Sequence, residues 1–310
     1  MSNFGQAEES GEGFVNKLYT GIENFKVTHV CPSQEELQSI FGENAKEDTY
    51  ILTNNDGHQQ VKIVLYLDNM AEEGEPSIKT RVTFFVTNAP RLTNDGSKTQ
   101  HINVYGKTAW LAPDAVLAPS GNYELQGGKG VYILEGKGVR PAFQGEEALI
   151  GFIRNLLNLP SLKNAKDPSQ SESQFSVNDW NVMFTGNFSS IKNVIMSSPN
   201  KVGLVLGVKT VESGSMYQDV YNRGSLRQWA KNGKKFTYIR KELTDAQTNG
   251  AYPNTVFGNP DFVLREYTAD AAPTNEAALV SSNAAPAKSF FSTANKSSFT
   301  SDVSSDDVPF

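Results

Sequence analysis

The sequence predicts a mainly β fold of the α+β class, with one or two helices and a disordered acidic tail at the C-terminus. Strand-length segments rich in β-branched and aromatic residues recur through the first 266 residues, and turn-forming residues separate many of them. After Tyr267 the composition changes abruptly to Ala, Ser, Asn, Thr and Pro, with little that could be buried. The chain has 310 residues, which is enough to bury a core without disulfide bonds.

Eight segments have the length and composition of strands. They are Val61–Asp68, Ile78–Thr87, His101–Tyr105, Gly130–Leu134, Val182–Phe188, Lys201–Val211, Met216–Tyr221 and Lys235–Lys241. The turn signals Asn55–Gly57 and Asn94–Gly96 fit β-hairpins.

Two helices are predicted. In the first, Ser33 is the N-cap, Glu36 completes a capping box, and Gly42 ends the helix. The second covers about Glu146–Leu159, and Pro160 stops it. Its apolar residues fall on one helical face: Leu149, Ile150, Ile153, Leu156 and Leu157.

Charge divides the chain into three parts. Residues 1–12, a predicted flexible N-terminus, hold three acids and no base, and residues 267–310 hold five acids and two bases. Of the 34 acidic and 28 basic residues, 26 of each therefore lie in the body, residues 13–266. A neutral body can still bind a polyanion if its bases cluster on one face. The polar stretch 161–176 is a predicted loop, where the body could divide into two β-rich halves.

The segment from Arg223 to Lys241 contains seven bases and no acid in 19 residues, with aromatic residues interleaved. Proteins that bind single strands need both kinds of side chain, since bases neutralise phosphates and each stacked nucleobase contributes about 1–3 kcal/mol. A hairpin turning at Asn232-Gly233 would align them; the alternative is a solvated basic hairpin with its aromatics packed inward. The predicted nucleic-acid contacts are Arg223, Arg227, Trp229, Lys231, Lys234, Lys235, Phe236, Tyr238 and Arg240.

Residues 98–110 form a second predicted nucleic-acid surface, with Arg91 nearby. Tyr105, Lys107 and Trp110 are its candidate contacts, accompanied by Lys98 and His101. The alternative for this segment is an ordinary strand with a core tryptophan.

The chain ends in two aspartates, an aliphatic residue and Pro-Phe. These residues, Asp306, Asp307, Val308, Pro309 and Phe310, resemble the C-terminal tip of bacterial single-stranded-DNA-binding proteins. In that family the tip follows a disordered polar linker behind an OB-fold body. A partner pocket can take the terminal ring while a basic group pairs with the carboxylate, and the aspartates add electrostatic steering.

The resemblance implies an elaborated OB-like β-barrel that coats single-stranded DNA in replication, recombination and repair. The tip would recruit a polymerase, helicase, primase or recombination factor. The body is longer than a bacterial OB domain, so the chain is more similar to a bacteriophage-encoded protein of this type, and no DNA-binding residue of the family transfers to residues 13–266. A different β architecture would give similar signals. The alternative functions are a virion or structural β-protein, and a DNA-processing nuclease that carries the tip as an address.

Catalytic, metal and membrane chemistry are not expected. The three histidines and one cysteine do not supply enough ligands at suitable spacing for a Cys/His zinc site, and the P-loop-like stretch 130–138 has the wrong spacing. We therefore expect no cofactor and no enzymatic activity, and we expect Cys31 to be a buried structural thiol. The N-terminus does not have the pattern of a signal peptide, and no apolar run is long enough to span a membrane, which predicts a cytoplasmic protein, in the host cytoplasm if it is phage-encoded.

Overall fold

The computed structural model describes residues 17–43, 45, 48–112, 116–117, 123–124, 139–159, 168–227, 243, 250, 252, 254–258 and 263–268. The predicted flexible N-terminus, the tail from residue 269 onward, and the predicted strands Gly130–Leu134 and Lys235–Lys241 lie outside these residues. The described part is mainly β with a strongly curled half-barrel sheet, which confirms the predicted class. It has four α-helices where the sequence predicts one or two.

The strands are β1 (Tyr19–Val30), β2 (Ile51–Thr53), β3 (Gln59–Asp68), β4 (Lys79–Pro90), β5 (Thr99–Ile102), β6 (Thr108–Leu111), β7 (Val116–Leu117), β8 (Tyr123–Glu124), β9 (Arg140–Pro141), β10 (Phe143–Gln144), β11 (Val202–Thr210), β12 (Met216–Arg227), β13 (Thr255–Val256) and β14 (Arg265–Glu266). The helices are α1 (Gln34–Phe41), α2 (Glu146–Leu156), α3 (Val177–Phe184) and α4 (Ser189–Met196), with a 3₁₀ helix at Pro168–Ser173.

The large antiparallel sheet has the order β10-β4-β3-β1-β11-β12, and β2, β13 and β14 pair at its sides. A second sheet has the order β6-β5-β9, and β7 pairs with β8. Strands β1 to β4 precede the predicted loop 161–176, and β11 and β12 follow it. Residues on both sides of that loop therefore share one sheet.

The curl of the large sheet is centred on β1. Its first half, Gly21–Phe25, pairs with β11, and its second half, Lys26–Val30, pairs with β3. The register shifts between Val27 and His29, and such a bulge increases local twist. As a result β12 approaches β4 to within 8 Å between Cα atoms, and α2 contacts both strands.

The core lies between the curled sheet and the helices. On β3, the five consecutive residues 63–67 are all buried, so the strand is covered on both faces. From the neighbouring strand, the Phe84 ring meets the ring of Phe152 on α2 edge-on, with 5.4 Å between centroids. This packing fixes α2 against the sheet.

Gly145 permits the close approach of α2 to β4. It has φ of 83°, and a Cβ placed there would lie 2.0 Å from the carbonyl oxygen of Phe85. Only glycine accepts both the left-handed backbone and the absence of space. The helix therefore begins directly against the sheet.

Several predicted elements are confirmed. The segments Val61–Asp68 and Lys201–Val211 correspond to β3 and β11, Ile78–Thr87 overlaps β4, and Met216–Tyr221 is the first half of β12. The turn at 55–57 joins β2 to β3, and the turn at 94–96 lies between Leu92 and Thr99, which form an antiparallel bridge.

The first helix is also confirmed. The Ser33 side chain accepts a hydrogen bond from the N–H of Glu36, whose carboxylate accepts one from the N–H of Ser33. Gly42 caps the C-terminal end. The second predicted helix exists but ends at Leu156, three residues early, because Asn158 takes a left-handed backbone with φ of 53°.

The predicted strand Val182–Phe188 is wrong. Its first residues complete α3, which begins with a second capping box between Ser176 and Asp179. Trp180, Met183 and Phe184 are buried at helical spacing. The β-branched and aromatic composition favours a strand, but the cap and the spacing of the buried residues favour a helix, and the helix forms.

Two further differences concern strands. The predicted strand His101–Tyr105 ends at Ile102, because residues 103–107 form a turn closed by the Asn103 side chain. The twelve-residue β1 is not among the predicted strands. Its two halves pair with different strands around a bulge, so its alternation is interrupted.

Candidate nucleic-acid interface

The β5–β6 hairpin holds the second predicted surface, residues 98–110. The Asn103 side chain is fully buried, and its Oδ1 accepts the backbone N–H groups of Tyr105 at 2.9 Å and Lys107 at 3.0 Å. Both residues are partly exposed. The turn that carries them is therefore held in one conformation by a buried side chain.

Helix α2 supports this hairpin at two points. Near its C-terminal end, Arg154 Nη1 donates to the carbonyl oxygen of Tyr105 at 2.8 Å. Near its N-terminal end, Glu147 Oε2 accepts hydrogen bonds from Arg91 and, at 3.5 Å, from Gln100 Nε2. Seven residues of helix separate the two supports, about 10 Å at a rise of about 1.5 Å per residue. The hairpin therefore lies along the helix.

Trp110, on β6, is partly exposed rather than buried in the core. The guanidinium carbon of Arg91 lies 5.3 Å from the centroid of its ring, which is a cation–π contact. Arg91 Nη1 also donates to Gln100 Oε1 at 3.0 Å. Burial lowers the pKa of Arg91 from its ordinary value, but a guanidinium remains charged in proteins. The positive charge of Arg91 therefore lies beside the Trp110 ring, and part of the ring is exposed to solvent.

Two cations of this surface have no close counter-charge. Within the described residues, Lys98 and Lys107 have no carboxylate within 4 Å, and they lie at opposite ends of the hairpin. By contrast, Lys62 pairs with Asp48 at 2.7 Å. The hairpin is not unique in this respect. Other lysines of the described surface also have no carboxylate so close, among them Lys26, Lys201 and Lys209.

The basic segment that begins at Arg223 is described only at its start. Arg223 and Arg227 belong to β12, with Arg227 opposite Val202 of β11 and a register shift between Gly203 and Val205. The remaining predicted contacts and the tip lie outside the described residues. They are Trp229, Lys231, Lys234, Lys235, Phe236, Tyr238 and Arg240 in the basic segment, and Asp306, Asp307, Val308, Pro309 and Phe310 in the tip.

Helix α2 connects the described parts of the two predicted surfaces. It contacts β12, which carries the start of the basic segment, and it supports the β5–β6 hairpin through Glu147 and Arg154. The β5–β6 turn and β12 are far apart in sequence, so their common association with one helix is a property of the fold.

A buried ion pair that the sequence does not signal fixes the start of α2. Glu146 is fully buried and accepts hydrogen bonds from both Nη atoms of Arg140, from Trp180 Nε1 at 2.9 Å and from the N–H of Phe143 at 3.0 Å. Arg140 Nη2 also donates to the Phe175 carbonyl oxygen at 2.7 Å. The network joins β9, α2 and α3, so it positions the helix on which the hairpin lies.

Gln100 and Glu147 are not among the predicted contacts, and Arg91 was expected only to lie nearby. Arg91 precedes the hairpin and Glu147 begins a helix, so no local motif connects them. Their association follows from the pairing of β5 with β6 and from the position of α2.

Within the part of the chain that the structure describes, no group of three or more His, Cys, Asp or Glu side chains could hold a metal ion. Among the same residues, no helix is both long enough and apolar enough to cross a membrane. Comparisons of the chain with protein-family models, with curated proteins and with solved structures found no match.

Proposed function

We propose that this protein binds single-stranded DNA with little sequence preference and coats it during replication, recombination and repair. The observation that carries the proposal is the 19-residue stretch from Arg223 to Lys241, which has seven bases, interleaved aromatics and no acid in a body of zero net charge. Its first residues belong to β12, which contacts α2. The β5–β6 hairpin adds Tyr105, Lys107 and Trp110 beside the same helix.

The proposed body is an elaborated OB-like barrel. An OB fold is a partly open antiparallel barrel that binds oligonucleotides on one face. The strongly curled sheet, with α2 in contact with both β4 and β12, is compatible with such a barrel.

In the proposed mechanism, lysine and arginine side chains neutralise phosphates while nucleobases stack on aromatic rings. Neither contact reads the base edges, so binding has little sequence preference. Counterions released from the phosphates make the affinity fall as salt rises.

The tail is proposed to recruit replication and repair proteins through residues 306–310. The Phe310 ring would enter a partner pocket, Pro309 would limit the entropy lost on binding, and Asp306 and Asp307 would steer the tip toward basic surfaces. This part of the proposal depends on the resemblance of the DDVPF segment to bacterial tips.

The DNA-binding proposal is tested by replacing Trp229 and Lys234 with Ala in the full chain. Affinity for an oligothymidine strand should fall, and the dependence of log affinity on log salt should become shallower, because one phosphate contact and one stacking ring are lost. Lys79→Ala is the control, since it also removes one charge but lies on β4 beside Asp68. Unchanged binding by the Trp229/Lys234 variant would show that the basic segment does not contact the DNA.

The tip proposal is tested by deleting Phe310. Capture of a purified polymerase, helicase, primase or recombination factor should be lost, while affinity for oligothymidine stays the same or rises slightly. A clear loss of DNA affinity would contradict this separation of roles.

A further inference from the structure

Arg91 has hydrogen-bonding capacity that the fold does not use. Both of its acceptors, Gln100 Oε1 and Glu147 Oε2, are bound by Nη1. Within the described residues, Nε and Nη2 have no hydrogen-bond partner, and the Arg91 side chain is 22% exposed. The Nε–Nη2 edge of a guanidinium is one of the two that can grip an anion with parallel hydrogen bonds.

We propose that this edge of Arg91 binds a phosphodiester group of the bound strand. The inference rests on the proposed function and adds to it a contact residue outside the predicted set. The stack on Trp110 and the bond to Gln100 hold the guanidinium plane before ligand arrives, so little side-chain entropy is lost on binding.

The surroundings of Arg91 favour an anion. Lys98 and Lys107 lie at the two ends of the hairpin that Arg91 contacts, without a close carboxylate in the described residues. Glu147 opposes them, but its side chain is 49% exposed, so solvent screens its charge. A phosphate on Arg91 would leave the neighbouring nucleobase beside the partly exposed ring of Trp110.

The test compares Arg91→Lys and Arg91→Ala in the full chain, titrated with a fluorescent oligothymidine strand at several salt concentrations. Lysine keeps the charge but loses the planar fork, so R91K should bind about tenfold more weakly with an unchanged salt slope. R91A should also bind more weakly, and its salt slope should fall by about 0.7, the value for one phosphate on a single strand.

Arg81→Lys is the matched control. Arg81 is also partly exposed, but it lies 3.8 Å from Asp48, whereas Arg91 contacts Gln100 and Trp110 of the hairpin. R81K should bind like the unsubstituted protein.

Two results would overturn the inference while leaving the proposed function intact. The first is R91K binding as tightly as the unsubstituted protein. The second is R91A binding more weakly with an unchanged slope and a lower thermal midpoint, which indicates a structural role. If the unsubstituted protein did not bind oligothymidine at low salt, both the proposed function and the Arg91 contact would be contradicted.

Discussion

At the scale of single residues, Glu146 shows how much one buried side chain can determine. It is fully buried and bound by Arg140, Trp180 and the Phe143 backbone. A buried charge is tolerated only when such partners satisfy it. The network could not be predicted from the sequence, because Trp180 is 34 residues away and no local pattern marks the pair.

Glu146→Gln should lower the free energy of unfolding by about 3 kcal/mol, because Arg140 would keep its buried charge without a carboxylate. Urea unfolding at neutral pH measures the change. Glu266→Gln, which removes an exposed partner of Lys17, is the control and should have no measurable effect. Equal stability of E146Q and the unsubstituted protein would show that the network does not hold the fold.

Cys31 was predicted to be a buried structural thiol, and its burial is confirmed at 8% exposure. Burial raises the pKa of the thiol from 9.0 to about 12. Between these values the unfolded chain loses the thiol proton while the folded chain keeps it, so the free energy of unfolding falls as pH rises.

The fall in stability above pH 9 should be smaller in Cys31→Ala than in the unsubstituted protein. Urea unfolding at a series of pH values through the lower half of the range from 9.0 to about 12 measures it. Tyrosine and lysine titrations are common to both proteins and cancel in the comparison. Parallel curves would mean that the folded thiol titrates normally.

At the scale of elements, capping boxes mark the start of two of the four described helices. The box of Ser33 and Glu36 predicts the start of α1 correctly. The equivalent box of Ser176 and Asp179 begins a helix whose β-branched and aromatic residues had predicted a strand. Composition alone does not distinguish helix from strand in this segment. The capping box together with the spacing of the buried aromatic residues does.

Replacing Gly145 or Gly151 by alanine should change the stability of the protein in opposite directions. Gly145→Ala should destabilise the protein by at least about 2 kcal/mol, because φ is 83° and the new Cβ would meet the Phe85 carbonyl oxygen. Gly151→Ala, inside the helix with nothing within 4 Å of its Cβ, should stabilise it by about 0.5–1 kcal/mol. Thermal and urea unfolding measure both, and a stable G145A variant would contradict the close approach of α2 to β4.

At the scale of the whole molecule, the sequence predicts the mainly β class, and the curled half-barrel sheet is compatible with the predicted barrel, but the pairing that produces the curl was not predicted. Strand-forming segments were recognisable one at a time, whereas the division of β1 between β3 and β11 depends on pairings with residues far along the chain. The candidate interface also depends on contacts between residues that are distant in sequence. Tyr105, Lys107 and Trp110 were predicted from local composition, but the contact of Arg91 with Trp110 and Glu147 appears only in three dimensions.

We propose that the folded body binds unpaired DNA through charge and stacking. A titration of the full chain against oligothymidine and against a duplex of the same length, each at two salt concentrations, tests this proposal. We predict tighter binding to the single strand, with affinity that falls as salt rises. No binding to the single strand at low salt, or equal binding to the duplex, would contradict the claim.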